Sequence, residues 1–242
     1  MSGPELRMDV RPWSVLDFIL VWLGGLVGSA LLLGAAELIG DPDWRVVLSL
    51  AGQYAGSLVV FLLLTRRRDL GALGLEVQPR DFLYVGLGLV LQIALAIAFL
   101  PLSNLLFPDG RPQQEVADII ASADTLAVQV ALVVAAVLLG PVTEEVMYRG
   151  ILLKALETRG RVFAMIVTAA VFALVHVPGL STERLLAAAA VYLPPLFILG
   201  LVLARLTQRT GRLGPAILLH SGWNLLSALV LLLPSDILEQ VS

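Results

Sequence analysis

The 242 residues are 58% hydrophobic and only 14% charged, with no cysteine and a mean hydropathy of +0.91. A soluble domain carries about a quarter charged residues, so much of this surface faces lipid rather than water. The net charge of −3 excludes the basic footprint of a nucleic-acid partner, and the lack of cysteine excludes disulfides, thiolate metal sites and thiol nucleophiles together.

Roughly 20 predominantly apolar residues cross a bilayer as a helix. Seven such runs occur: Val15 to Ile39, Val46 to Leu64, Phe82 to Pro101, Leu126 to Leu139 with a continuation, Val162 to Val177, Leu185 to Leu206 and Leu213 to Leu233. The expected fold is all-α, a polytopic membrane helix bundle of about seven transmembrane helices with a kinked fourth helix. It forms a single transmembrane domain, 1–242, with no internal repeat or low-complexity tract. The first run is longer than the roughly 7 to 15 residues of a signal-peptide core, and its Gly24, Gly25, Gly28, Ser29 and Ala30 read as helix-packing surface. With the N-terminus inside, all but Arg45, Arg111 and Arg184 of the 16 basic residues fall on inside loops, Arg149 and Lys154 among them. The positive-inside rule therefore favours N-in, and Trp13, Trp22 and Trp44 sit near span ends as interfacial aromatics do. Between Ser103 and Asp124 lies an external loop with a short amphipathic helix. Glu37, beside Asp41 at the outer end of the first span, reads as interfacial, and Pro194-Pro195 should kink the sixth.

Ionisable groups inside spans are rare and costly, about 2.5 to 3.5 kcal/mol each, so function is sought there. Glu144, Glu145 and Arg149 lie within Gly140-Pro-Val-Thr-Glu-Glu-Val-Met-Tyr-Arg-Gly150, His176 follows Phe172 by four residues, and His220 precedes Asn224 by four. Gly140-Pro141 predicts a break, with Thr143 capping the helix that restarts. The stretch from Val142 to Leu156 is amphipathic and suits either a surface helix or the second half of a kinked span. A hairpin argument favours the span: Glu144 and His176 are equidistant from Gly160, hence at one depth, roughly 24 Å from the turn at 1.5 Å per residue. By the same rise, His220 and Asn224 enter only about 10 to 17 Å from the start of the last span, a mismatch that calls for a tilt, a longer hairpin tip or different span ends.

The i, i+4 spacing puts Glu145 with Arg149, Phe172 with His176, and His220 with Asn224 on common helix faces. A carboxylate, two imidazoles and an amide suffice to hydrolyse a peptide bond. Glu144 would act as general base on a water that His176 helps to hold, directly or through a metal; His220 and Asn224 would stabilise the oxyanion, and Glu145 with Arg149 would form a structural ion pair. Phe172 would fix His176 by packing.

Glu144-Glu145-x-x-x-Arg149, Phe172-x-x-x-His176 and His220-x-x-x-Asn224, in that order on successive helices, resemble the three motifs of the CAAX-protease and bacteriocin-processing (CPBP, or Abi) intramembrane proteases. The resemblance covers a protease core of about 126–233; residues 15–101 contribute three additional spans that match only as generic hydrophobic helices. It implies that Glu144 and His176 activate the water and that His220 with Asn224 forms the oxyanion site. Members include metalloproteases and metal-independent glutamate proteases; Glu144, His176 and His220 would supply a zinc set of two histidines and one carboxylate with an open position. Tyr148 stands where many members have phenylalanine. The implied substrate is a membrane-associated or lipidated peptide or protein, and the implied residence a cell membrane, the inner membrane of a bacterium. Two other readings compete: a non-catalytic scaffold or immunity protein of the same fold, and a transporter with an intramembrane Glu/His relay.

Overall fold

The computed structural model describes residues 11–37, 42–108, 125–180 and 184–232. The amphipathic helix expected in the 103–124 loop falls largely outside these residues, as does Asp41. Seven helices are long and apolar enough to cross a membrane. We number them α1 (Val15–Ala36), α2 (Pro42–Thr65), α3 (Leu83–Leu106), α4 (Leu126–Arg159), α5 (Arg161–Leu174), α6 (Leu185–Thr210) and α7 (Gly214–Leu231). Their outward faces carry exposed leucine, isoleucine and valine, including Leu16, Leu31, Leu83, Ile97 and Leu186, as expected of helices solvated by lipid.

The ends carrying most of the arginines are tied by ion pairs. Ser14 and Asp17 form a capping box at the start of α1, and Asp17 also receives Arg68 Nη2 at 2.9 Å. A 3-10 turn, Pro79–Phe82, leads into α3; its buried Asp81 takes both arms of Arg212, at 2.6 and 3.0 Å. The pair holds the Arg212 guanidinium protonated beyond its ordinary range. Trp13, at the end of the first span as expected, is buried, stacked on Phe61 and donating to the Asp69 carbonyl at 2.9 Å. Glu37 pairs with Arg45 at 3.2 Å.

In α1 and α2, Gly24 faces Gly56 and Gly28 faces Gly52, so closely that a β-carbon on any of them would strike the opposite backbone. A similar approach joins α3 to α7, where Gly88 and Gly222 meet opposing backbone.

The fourth helix departs from expectation. It does not break and restart at Gly140, and Thr143 caps nothing; it widens into π-helix over Ala135–Leu139 and again over Val146–Leu152. In π-helical register the carbonyl of residue i takes the N–H of i+5, as Gly140 N–H to Ala135 O shows. Pro141 has no N–H to give Ala136 O, and Asn224 Nδ2 of α7 donates to that carbonyl at 2.7 Å. The proline is thus absorbed by a change of helical register, with the carbonyl it leaves free taken up by Asn224.

The stretch Val142 to Leu156 is part of the span, with Met147, Tyr148, Arg149, Ile151, Leu152 and Leu153 buried. Arg149, assigned from sequence to an inside loop, is fully buried. The α4–α5 turn falls at Gly160, whose φ of +115° favours glycine. Pro178 ends α5 shortly after Leu174, because it has no N–H to donate to the carbonyl of Leu174, and the chain continues as a 3-10 turn, Val177–Gly179. Pro194-Pro195 lie inside a continuous α6.

Candidate active site

Glu144, Glu145 and Arg149 project from the part of α4 between and within its π-helical segments. Glu145 and Arg149 are both fully buried, with Arg149 Nη1 3.1 Å from Glu145 Oε1. The same oxygen receives His220 Nδ1 at 2.9 Å, and Arg149 Nη2 donates to Gly200 O of α6 at 3.3 Å. A carboxylate at Nδ1 sets the tautomer of neutral His220, with Nδ1–H donated and the Nε2 lone pair turned outward. That lone pair lies 3.9 Å from Glu144 Oε2.

The two neighbouring glutamates differ in charge pairing and exposure. Glu145 is sealed and neutralised by Arg149 through Oε1, its Oε2 being buried without a hydrogen-bond partner among the described residues. Glu144 is a third exposed along its side chain, yet its Oε2 is buried and accepts no hydrogen bond among the described residues. A desolvated carboxylate oxygen without a donor is costly and would be relieved by a small molecule that donates to it.

For α4 and α7 the depths agree once the hairpin's length is accounted for. Leu213, just before α7, packs toward Gly150, some ten residues short of the Gly160 turn. The α4–α5 tip therefore extends well beyond the start of α7, which removes the apparent mismatch and brings His220 level with Glu145.

His176 sits just beyond the last residue of α5, its Nδ1 2.7 Å from Phe172 O. It does not meet Glu144 directly; the imidazole in contact with that carboxylate is His220. Phe172 stands between the two histidines, its centroid 5.0 Å from His176 and 5.5 Å from His220, both edge-on. The Arg149 guanidinium lies 4.5 Å over the same ring, and Tyr148 meets it edge-on at 5.4 Å. Among the described residues, no three His, Cys, Asp or Glu side chains converge as a metal-binding group. The zinc set Glu144, His176 and His220 is thus not gathered in this arrangement.

Asn224, expected beside His220 as an oxyanion donor, commits one amide hydrogen to Ala136 O; the other remains. Sequence reasoning missed Tyr54 of α2. Its hydroxyl donates to Ala135 O at 3.4 Å and, with Glu144 Oε1, borders Gly140: a β-carbon there would lie 3.3 Å from the hydroxyl and 3.9 Å from that oxygen. The polar pair Gln53-Tyr54 inside an apolar run was the available clue.

Neither the curated proteins nor the solved structures contain a match to this chain. Residues 126–226, which hold every motif residue, match the family model described as Type II CAAX prenyl endopeptidase Rce1-like, a peptidase family of the CAAX-protease group that the three motifs resemble.

Proposed function

We propose that this chain is an intramembrane endopeptidase in which Glu144 activates a water for attack on a peptide bond. The observation that carries the reading is the unpartnered Glu144 Oε2, 3.9 Å from His220 Nε2, beside a second glutamate already neutralised by Arg149. One water donating a hydrogen to each of these two acceptors would keep a lone pair for the substrate carbonyl. Glu144 then takes the water's proton and returns it to the leaving amine. The second amide hydrogen of Asn224 serves the oxyanion, and His176 Nε2 accepts from a substrate N–H. Glu145 is a positioning residue, acting by fixing the His220 tautomer.

The substrate is a membrane-associated or lipidated peptide, cleaved in a cell membrane, with the arginine-rich ends of the helices toward the cytoplasm. The test is cleavage of a fluorogenic peptide library, with and without a prenylated cysteine, by purified protein. Glu144→Gln is expected to lower the rate by about 10²- to 10⁴-fold with the fold retained; unchanged cleavage would remove glutamate catalysis. Full activity in protein shown metal-free by elemental analysis supports the reading, whereas loss on chelation with recovery on zinc would replace it by a metalloprotease. A total lack of cleavage across the library would leave a binding scaffold as the better account.

A further inference from the structure

A second polar recess lies away from the candidate active site, at the arginine-rich end, where the α4–α5 turn meets the last turn of α6. It is a cavity of about 300 Å³ lined by Lys154, Glu157, Arg161, Thr207 and Gln208. Arg161 and Gln208 clasp reciprocally: Arg161 Nη2 donates to Gln208 O at 2.7 Å, and Gln208 Nε2 to Arg161 O at 2.9 Å. The clasp uses one guanidinium nitrogen and leaves Nη1 and Nε.

Thr207 is the informative residue. It is 2% exposed, and its Oγ1 has no hydrogen-bond partner among the described residues. A threonine inside a helix ordinarily bonds back to the carbonyl four residues earlier, as Thr210 does to Leu206 O at 3.0 Å. Thr207 does not, although an unpaired buried hydroxyl is costly. The recess also borders the N-terminus of α5, where Gly160 supplies no side-chain cap and the first N–H groups lack helical partners.

From this geometry we infer a binding site for one phosphate group, held by Arg161, Lys154, the Thr207 hydroxyl and the N-terminus of α5. Glu157 and Asp69 both act on Lys154, which leaves the Arg161 guanidinium as the cation that complements the single negative charge of a phosphodiester. The group arrives on an anionic lipid headgroup at the membrane surface or on a free phosphate ester. The site is independent of the proteolytic reading, since none of its residues touches Glu144, His176 or His220.

The experiment measures the melting temperature of the full chain in detergent micelles against inorganic phosphate in one arm, and against micelles doped with phosphatidylglycerol or phosphatidylcholine in the other. Stabilisation by phosphatidylglycerol alone identifies a lipid source, and stabilisation by inorganic phosphate a soluble one; phosphatidylcholine, without net charge, gives little. Arg161→Gln is expected to raise the half-saturating concentration by about tenfold, the loss of one charge-assisted hydrogen bond. Thr207→Val preserves volume and removes the orphaned hydroxyl, so it should raise the melting temperature without added probe and yet weaken the response to the probe by several-fold. Arg205→Gln, an exposed arginine outside the recess, should change neither. No stabilisation by either probe overturns the inference, as does an undiminished response in both Arg161→Gln and Thr207→Val, or an equal loss in Arg205→Gln.

Discussion

The α1–α2 hairpin and the α4–α7 contact use opposite means to hold helices together in lipid. In the first, facing glycines let two backbones touch, and polar contact is light: Ser29 with Ser49 at 2.7 Å, and Ser57 to Val21 O at 3.3 Å. In the second, a buried chain runs from Gly200 O through Arg149 and Glu145 to His220, with Asn224 closing an orphaned carbonyl nearby. Where packing suffices, the chain uses small residues. Fully buried ion pairing between charged side chains is kept for the candidate site, whereas the buried Asp17 and Asp81 pair with arginines that reach solvent.

The largest effect should come from breaking the second contact at its charge. Arg149→Met strips Glu145 of its cation in a sealed site and leaves it only the His220 hydrogen bond, a loss of about 3–5 kcal/mol, read as failure to stay monodisperse in detergent; adding Glu145→Gln should recover most of it. If the double variant is no better than the single one, Arg149 supports the fold by shape rather than by charge. Gly28→Leu attacks the first contact and should cost about 1–3 kcal/mol through overpacking, visible as a lowered unfolding midpoint in denaturing detergent, while peptide cleavage per folded molecule is retained.

Asn224→Ala orphans Ala136 O and should cost about 1–2 kcal/mol. Here the π-helical register gives a sharper test, because Pro141→Ala supplies the missing N–H. The double variant should be more stable than Asn224→Ala alone, and absence of that rescue would detach Asn224 from the proline. The smallest effect is expected for Ser29→Ala, about 0.6 kcal/mol, measured against the same denaturing detergent.

All seven spans are legible from hydropathy, because lipid imposes an apolar run on every crossing regardless of its neighbours. The i, i+4 rule correctly joined Glu145 to Arg149, since that contact lies within one helix. Contacts between helices were less legible. Distance from the Gly160 turn fixes depth but not rotation about the helix axis, so it placed His176 level with Glu144 without revealing that Phe172 packs on both histidines and that His220 supplies the contact. His220 and Asn224 share a face as spaced, yet one finds a carboxylate and the other a backbone carbonyl. The widening of α4 was not readable from Gly140-Pro141 either, because a proline in a span can be accommodated by kink or by register, and the choice depends on a donor 83 residues away in α7.

Phe172 has the Arg149 guanidinium over its face and both imidazoles packed against it at steep interplanar angles. One ring in contact with all three means that trimming Phe172 to alanine would remove, in one substitution, packing from His176, from His220 and from the buried ion pair.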